Sequence, residues 1–183
     1  KSVSKSITSI CIGIAIDKGL IKSVHQSIFD YLPNHQHLNR NGKEKITIEH
    51  LLTMTSGLEW IEWGASLSTG KNDIVGIWFQ DKDPLTFILE KPLINDPGTA
   101  FNYSGGNTII LGEIIKNATK MDLDKFSKKY LFKPLEIDSS DCEFKKIISK
   151  QHLYQTEKIS VITQSNLEKK EEILSTKMAG FKE

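Results

Sequence analysis

The sequence predicts a mainly helical chain folded around one core, and three observations predict it. A length of 183 residues is enough for one sizeable core and gives no reason for a second. Apolar residues recur at helical spacing in five separate stretches, whereas only Lys158-Ile159-Ser160-Val161-Ile162-Thr163 has the pattern of a strand. Internal repeats and low-complexity tracts are absent from the sequence.

The first helix is expected at the very start. Apolar residues at positions 3, 7, 10, 11 and 14 form one stripe, and Ile12, Ala15 and Ile16 widen it almost all round, which predicts a buried helix. Gly19, after Asp17-Lys18, is its expected stop. Residues 20–33 read as a connection with a helical turn ending at Pro33, and 34–45 as a polar loop turning at Asn41-Gly42. Thr47 should cap a short helix over 48–54 that stops at Ser56-Gly57. A long irregular stretch carrying Trp60, Trp63 and Trp78 follows. Tryptophans there could rim a cleft or pack the loop onto the body. Pro84 opens a helix over 84–93, Asp96-Pro97-Gly98 is a turn, and residues 101–107 read as a glycine-rich loop. Helices are expected over 108–115 and, capped by Asp122, over 122–131. Residues 141–183 form a divergent lysine- and glutamate-rich segment, which sets the domain at about 1–140.

Composition narrows the function. A net charge of +1 with dispersed lysines gives no basic field for nucleic acid. No apolar run reaches membrane-spanning length. Cys11 and Cys142 make no metal or disulfide pattern, and the His35/His37 pair in a polar loop reads as solvated, so neither metal nor cofactor is expected. The chain starts with Lys rather than Met, so no targeting signal can be read from it.

One arrangement carries chemistry. Ser2 and Lys5 stand three residues apart, on one face at the start of the first helix. A helix N-terminus favours a developing alkoxide, and a desolvated lysine can accept a proton. About one such Ser-x-x-Lys spacing arises by chance in a chain of this length, and a second one runs from Ser68 to Lys71 in a polar loop. Ser2 alone could equally be a capping serine.

Four stretches in order resemble the superfamily of serine beta-lactamases and penicillin-binding proteins, closest to its class C-type branch. They are Ser2-Val3-Ser4-Lys5 with its helix closing at 17–21, residues 46–58 containing Leu51-Leu52-Thr53-Met54-Thr55-Ser56-Gly57-Leu58, residues 95–104 containing Pro97-Gly98-Thr99-Ala100-Phe101-Asn102-Tyr103-Ser104, and residues 129–137 containing Pro134-Leu135-Glu136-Ile137. The resemblance implies an α+β fold, of which this chain holds mainly the helical region. It implies a serine hydrolase forming an acyl-enzyme on a lactam, amide or ester. Ser2 would be the nucleophile, Lys5 its proton acceptor or orienter, and Tyr103 the second proton handler. The Ser2 backbone N–H would be half of the oxyanion hole. A phenol suits this role only where a cation such as Lys5 favours its ionised form.

Gly105 and Asn107 would lie on the substrate side, although relatives often carry asparagine where Gly105 stands. The family's third motif, a Lys-Thr-Gly or His-x-Gly edge strand, has no counterpart, and Lys177-Met178-Ala179-Gly180 has the wrong spacing. Lys145 to Lys150 resembles a stretch that relatives place further on, beyond a strand region. The expectation is a hydrolase truncated at both ends, with a catalytically silent binding module as the rival. The resemblance also implies a small-molecule or peptidoglycan-like acyl substrate and a periplasmic or cell-surface location. Asn117-Ala118-Thr119 matches a glycosylation acceptor, a coincidence in a bacterial-type family. Oligomeric state is not legible.

Overall fold

The computed structural model describes residues 2–64, 71–79 and 82–137. Six helices carry it: α1 (Val3–Asp17), α2 (Ile48–Leu52), α3 (Asp73–Phe79), α4 (Pro84–Glu90), α5 (Gly105–Thr119) and α6 (Leu123–Ser127). A π-helical turn, Lys128–Phe132, continues α6. Among the described residues the only β pairing is two isolated antiparallel bridges, Ser27 with Thr47 and Leu58 with Leu93. The expected strand at 158–163, Cys142 and the Lys145–Lys150 stretch lie outside the described residues.

Helix α5 is the centre, with α1, α2, α4 and α6 all packed against it. Its buried stripe of Ile110, Leu111, Ile114 and Ile115 joins Cys11, Ile12, Leu51, Ile88, Leu89 and Phe126 in one apolar core. Helix α5 starts earlier than the glycines suggest. Gly105, Gly106 and Asn107 form its first turn, and the Ser104 hydroxyl caps it by accepting the Asn107 N–H.

Helix α1 is less buried than its composition implies. Its inward face runs through Thr8, Cys11, Ile12 and Ala15, one residue round from the expected stripe, and Ile10 is 49% exposed. Thr8 can face the core because its hydroxyl donates to the Ser4 carbonyl. The helix stops as expected: Gly19 takes φ 69°, its N–H reaches the Ile16 carbonyl, and the Leu20 N–H reaches Ala15. Those two bonds make a Schellman ending that only a residue at ease in left-handed backbone supports.

Two further elements depart from expectation. The stretch after Gly57, expected to be irregular, contains α3, anchored where Asp73 Oδ2 accepts the Ile61 N–H and Asp73 Oδ1 pairs with Lys91 at 2.6 Å. Lys43, expected in a polar loop, is buried and donates to the Leu89 carbonyl at the end of α4. A lysine there satisfies an orphan carbonyl and opposes the negative end of the helix dipole.

Candidate active site

Ser2 stands immediately before α1 with helical backbone angles, φ −70° and ψ −28°, and its side chain makes no capping bond. The capping explanation for this serine therefore fails. Its Oγ instead lies 2.9 Å from the Oη of Tyr103, a hydroxyl 101 positions away in the chain. Lys5, one turn along, places Nζ 5.1 Å from the Tyr103 ring centroid. Two residues singled out from sequence thus meet through their hydroxyls, with the third over the tyrosine ring, at the N-terminus of a 15-residue helix. The second Ser-x-x-Lys offers no comparison, since Ser68 lies outside the described residues.

Tyr103 is held from three sides. Met54 adopts left-handed backbone with φ 59°, turning its carbonyl to accept the Asn102 N–H at 2.8 Å. The Asn102 amide donates to the Leu58 and Trp60 carbonyls. Just beyond Tyr103, the Gly105 N–H donates to Glu62 Oε2 at 2.6 Å, an oxygen that also accepts Trp60 Nε1 at 2.9 Å. The segment from Met54 to Glu62 is a cradle for the tyrosine loop, which gives that motif a physical role.

The cradle explains the glycine where relatives carry asparagine. A Cβ on Gly105 would come within 2.8 Å of Ile74 Cδ1 and 2.9 Å of Glu62 Oε2. Glu62 fills the room a side chain would need. Asn107 is likewise buried: Oδ1 accepts the Ser56 hydroxyl at 3.0 Å, and Nδ2 approaches Met54 Sδ at 3.8 Å. Gly105 and Asn107, expected on the substrate side, are buried, Gly105 bonded to Glu62 and Asn107 to Ser56.

An open cleft of about 470 Å³ lies beside Tyr103, lined by Trp60, Ile61, Glu62, Trp63, Phe101, Asn102 and Tyr103. Both readings of the tryptophans hold, one each: Trp60 is buried against the body, and Trp63 is exposed on the rim. Trp63 meets the Tyr103 ring edge-on at 5.7 Å between centroids. Glu62 carries no signal in the sequence; only the fold brings it to the loop. Among the described residues no group of His, Cys, Asp and Glu could hold a metal ion, and no helix is long and apolar enough to cross a membrane.

The sequence profile of the Beta-lactamase family matches residues 1–156. Protein flp of Staphylococcus aureus strain MW2 is 30% identical over 137 residues, covering 74% of this chain and 26% of that protein. Acyltransferase mokF of Monascus pilosus is 27% identical over 164 residues, covering 79% and 37%. The chain therefore spans about a quarter to a third of the curated relatives it matches. Among solved structures, a penicillin-binding protein from Bacillus halodurans superposes with a TM-score of 0.59 at 21% identity, covering 80% of this chain and 44% of that one. That likeness is one of fold: the chain has the beta-lactamase/transpeptidase-like fold, and its described residues are mainly the helical region.

Proposed function

The chain belongs to the beta-lactamase family, whose members are generally serine hydrolases and acyl-transfer enzymes, and from that premise we propose that Ser2 is an acylated nucleophile. One observation carries the reading: the Ser2 hydroxyl, unused as a cap, meets the Tyr103 hydroxyl at 2.9 Å. Nucleophile and proton acceptor need that reach.

In this scheme Ser2 Oγ bonds to the acyl carbon while its proton passes to Tyr103 Oη in its proton-accepting form. The carbonyl π pair moves onto oxygen, and the Ser2 backbone N–H, with the positive end of α1, stabilises that oxyanion. The oxyanion then collapses, the bond to the leaving group breaks, and Tyr103 returns the proton to the departing nitrogen or oxygen. Water repeats the sequence on the acyl-enzyme and frees the acid. Lys5, over the Tyr103 ring, is the orienting group of this reading. Lactam, amide and ester substrates all fit this chemistry, and the similar proteins include one named a penicillin-binding protein and one named an acyltransferase.

The test is labelling by a neutral fluorophosphonate. Ser2→Ala should abolish it and Ser68→Ala should leave it intact; the reverse pattern would overturn the assignment. A rival reading, acylation without effective turnover, is favoured by one feature. That feature is the need for a second oxyanion donor, which none of the contacts around Ser2 in the described residues supplies; where such a donor is missing the loss is about 10²–10³ in rate. The 183-residue chain should then label stoichiometrically yet turn over a chromogenic cephalosporin or p-nitrophenyl acetate only weakly. Steady turnover abolished by Ser2→Ala would exclude the rival.

A further inference from the structure

We propose that the cleft beside Tyr103 takes a protonated amine carried on an apolar or aromatic group, so that the preferred acyl compounds are cationic rather than carboxylate-bearing. The inference rests on the reading of Ser2 as nucleophile for its meaning as substrate selection, but the cleft argues for itself.

Its walls are aromatic. Trp63 is 77% exposed and Phe101 72% exposed, and both stand at the rim with the Tyr103 ring. Large exposed aromatics gathered at one cleft mark a surface that another molecule covers. An apolar group alone would satisfy them; the charge in the cleft specifies more. Glu62 is the one ionisable carboxylate among the lining residues, and no Lys or Arg lines the cleft with it. Its two hydrogen bonds, from Trp60 and Gly105, both fall on Oε2. Oε1 accepts none from the described residues, leaving a carboxylate oxygen available beside the aromatic rim.

An ammonium group gains twice there, from a charge-assisted bond to Oε1 and from the negative faces of the rings. A substrate carboxylate in the same place meets like charge. The cation nearby, Lys5, lies over the Tyr103 ring and is not among the lining residues.

Binding can be read without turnover, by tryptophan fluorescence of the full chain titrated at pH 7. Phenethylamine, 2-phenylethanol and 3-phenylpropionate differ mainly in charge. The amine should bind roughly tenfold or more tightly than the anion, about the ratio one charge-assisted contact supplies. Glu62→Gln keeps an oxygen to accept from Gly105 and Trp60 while removing the charge, so the difference should collapse with the fold intact. Trp63→Ala should weaken all three ligands together. An anion that binds as well as the amine, or a preference that survives in Glu62→Gln, overturns the proposal. Fluorophosphonate labelling of the same preparation separates the two readings. A preference without labelling upholds the cation site and sinks the hydrolase; labelling without a preference does the opposite.

Discussion

At Tyr103 the backbone, the ring and the hydroxyl each answer to a different neighbour. Neighbouring Asn102 and Gly105 tie the backbone to the cradle, Lys5 and Trp63 take the ring, and Ser2 takes the hydroxyl. Lys5→Ala and Tyr103→Phe should each lower turnover or acylation by something like 10²–10⁴-fold. Single-turnover measurement on the double variant should show less than the product of the two, because groups sharing one proton transfer are not independent. A full product would remove Lys5 from the relay. Of these residues, Ser2, Lys5 and Tyr103 can be named from ordered motifs. Glu62 cannot, since its role depends on a contact 43 positions away that no periodicity encodes. Asn107 stands out in the sequence, but its buried Ser56 partner, 51 positions away, is not legible there.

Among the elements, the turn after α2 does most to place the site. Gly57 takes φ 78°, and a Cβ there would fall 2.2 Å from the Asn95 carbonyl oxygen. Its own carbonyl accepts the Ile94 N–H. Gly57→Ala should therefore cost more than ~1 kcal/mol in denaturant unfolding, from both strain and clash. Full stability in that variant would mean the turn can relax. Helix α4 makes a pH prediction. Burial pushes the Asp83 carboxyl up, but the Thr86 hydroxyl and N–H, with His35 beside it, outweigh burial and hold it below its ordinary value. Folding thus favours the ionised form. That stabilisation is present above the ordinary carboxylate pKa of about 3.9 and fades as pH falls through the lower folded value. Asp83→Ala should lose about 1 kcal/mol at pH 7, and the loss should shrink in thermal melts taken below pH 4. Capped helices such as α2 and α4 are legible because their signals are local. Helix α3 is not: its seven residues are too few to establish a period, and what holds it is Asp73 reaching Ile61 and Lys91.

For the whole molecule, the core around α5 sets stability. Ile114 is fully enclosed, and Ile114→Ala should destabilise by about 2–5 kcal/mol. Cys11 offers an independent check, since burial pushes its thiol up to about 12. In a Cys142→Ser background that thiol should resist alkylation at pH 8 and react once in denaturant; ready labelling of the native protein would contradict the packing. The same packing gives α1 the property of a lever. Its held arm is the buried face from Ala15 to Thr8, and its tip carries Ser2 some 9 Å beyond Thr8 at 1.5 Å per residue. A tilt of about 6° would swing that tip by roughly 1 Å, enough to pull the Ser2 and Tyr103 hydroxyls out of contact. A bulkier residue at position 15 should therefore silence the nucleophile from the opposite end of its helix, with the chemistry itself untouched.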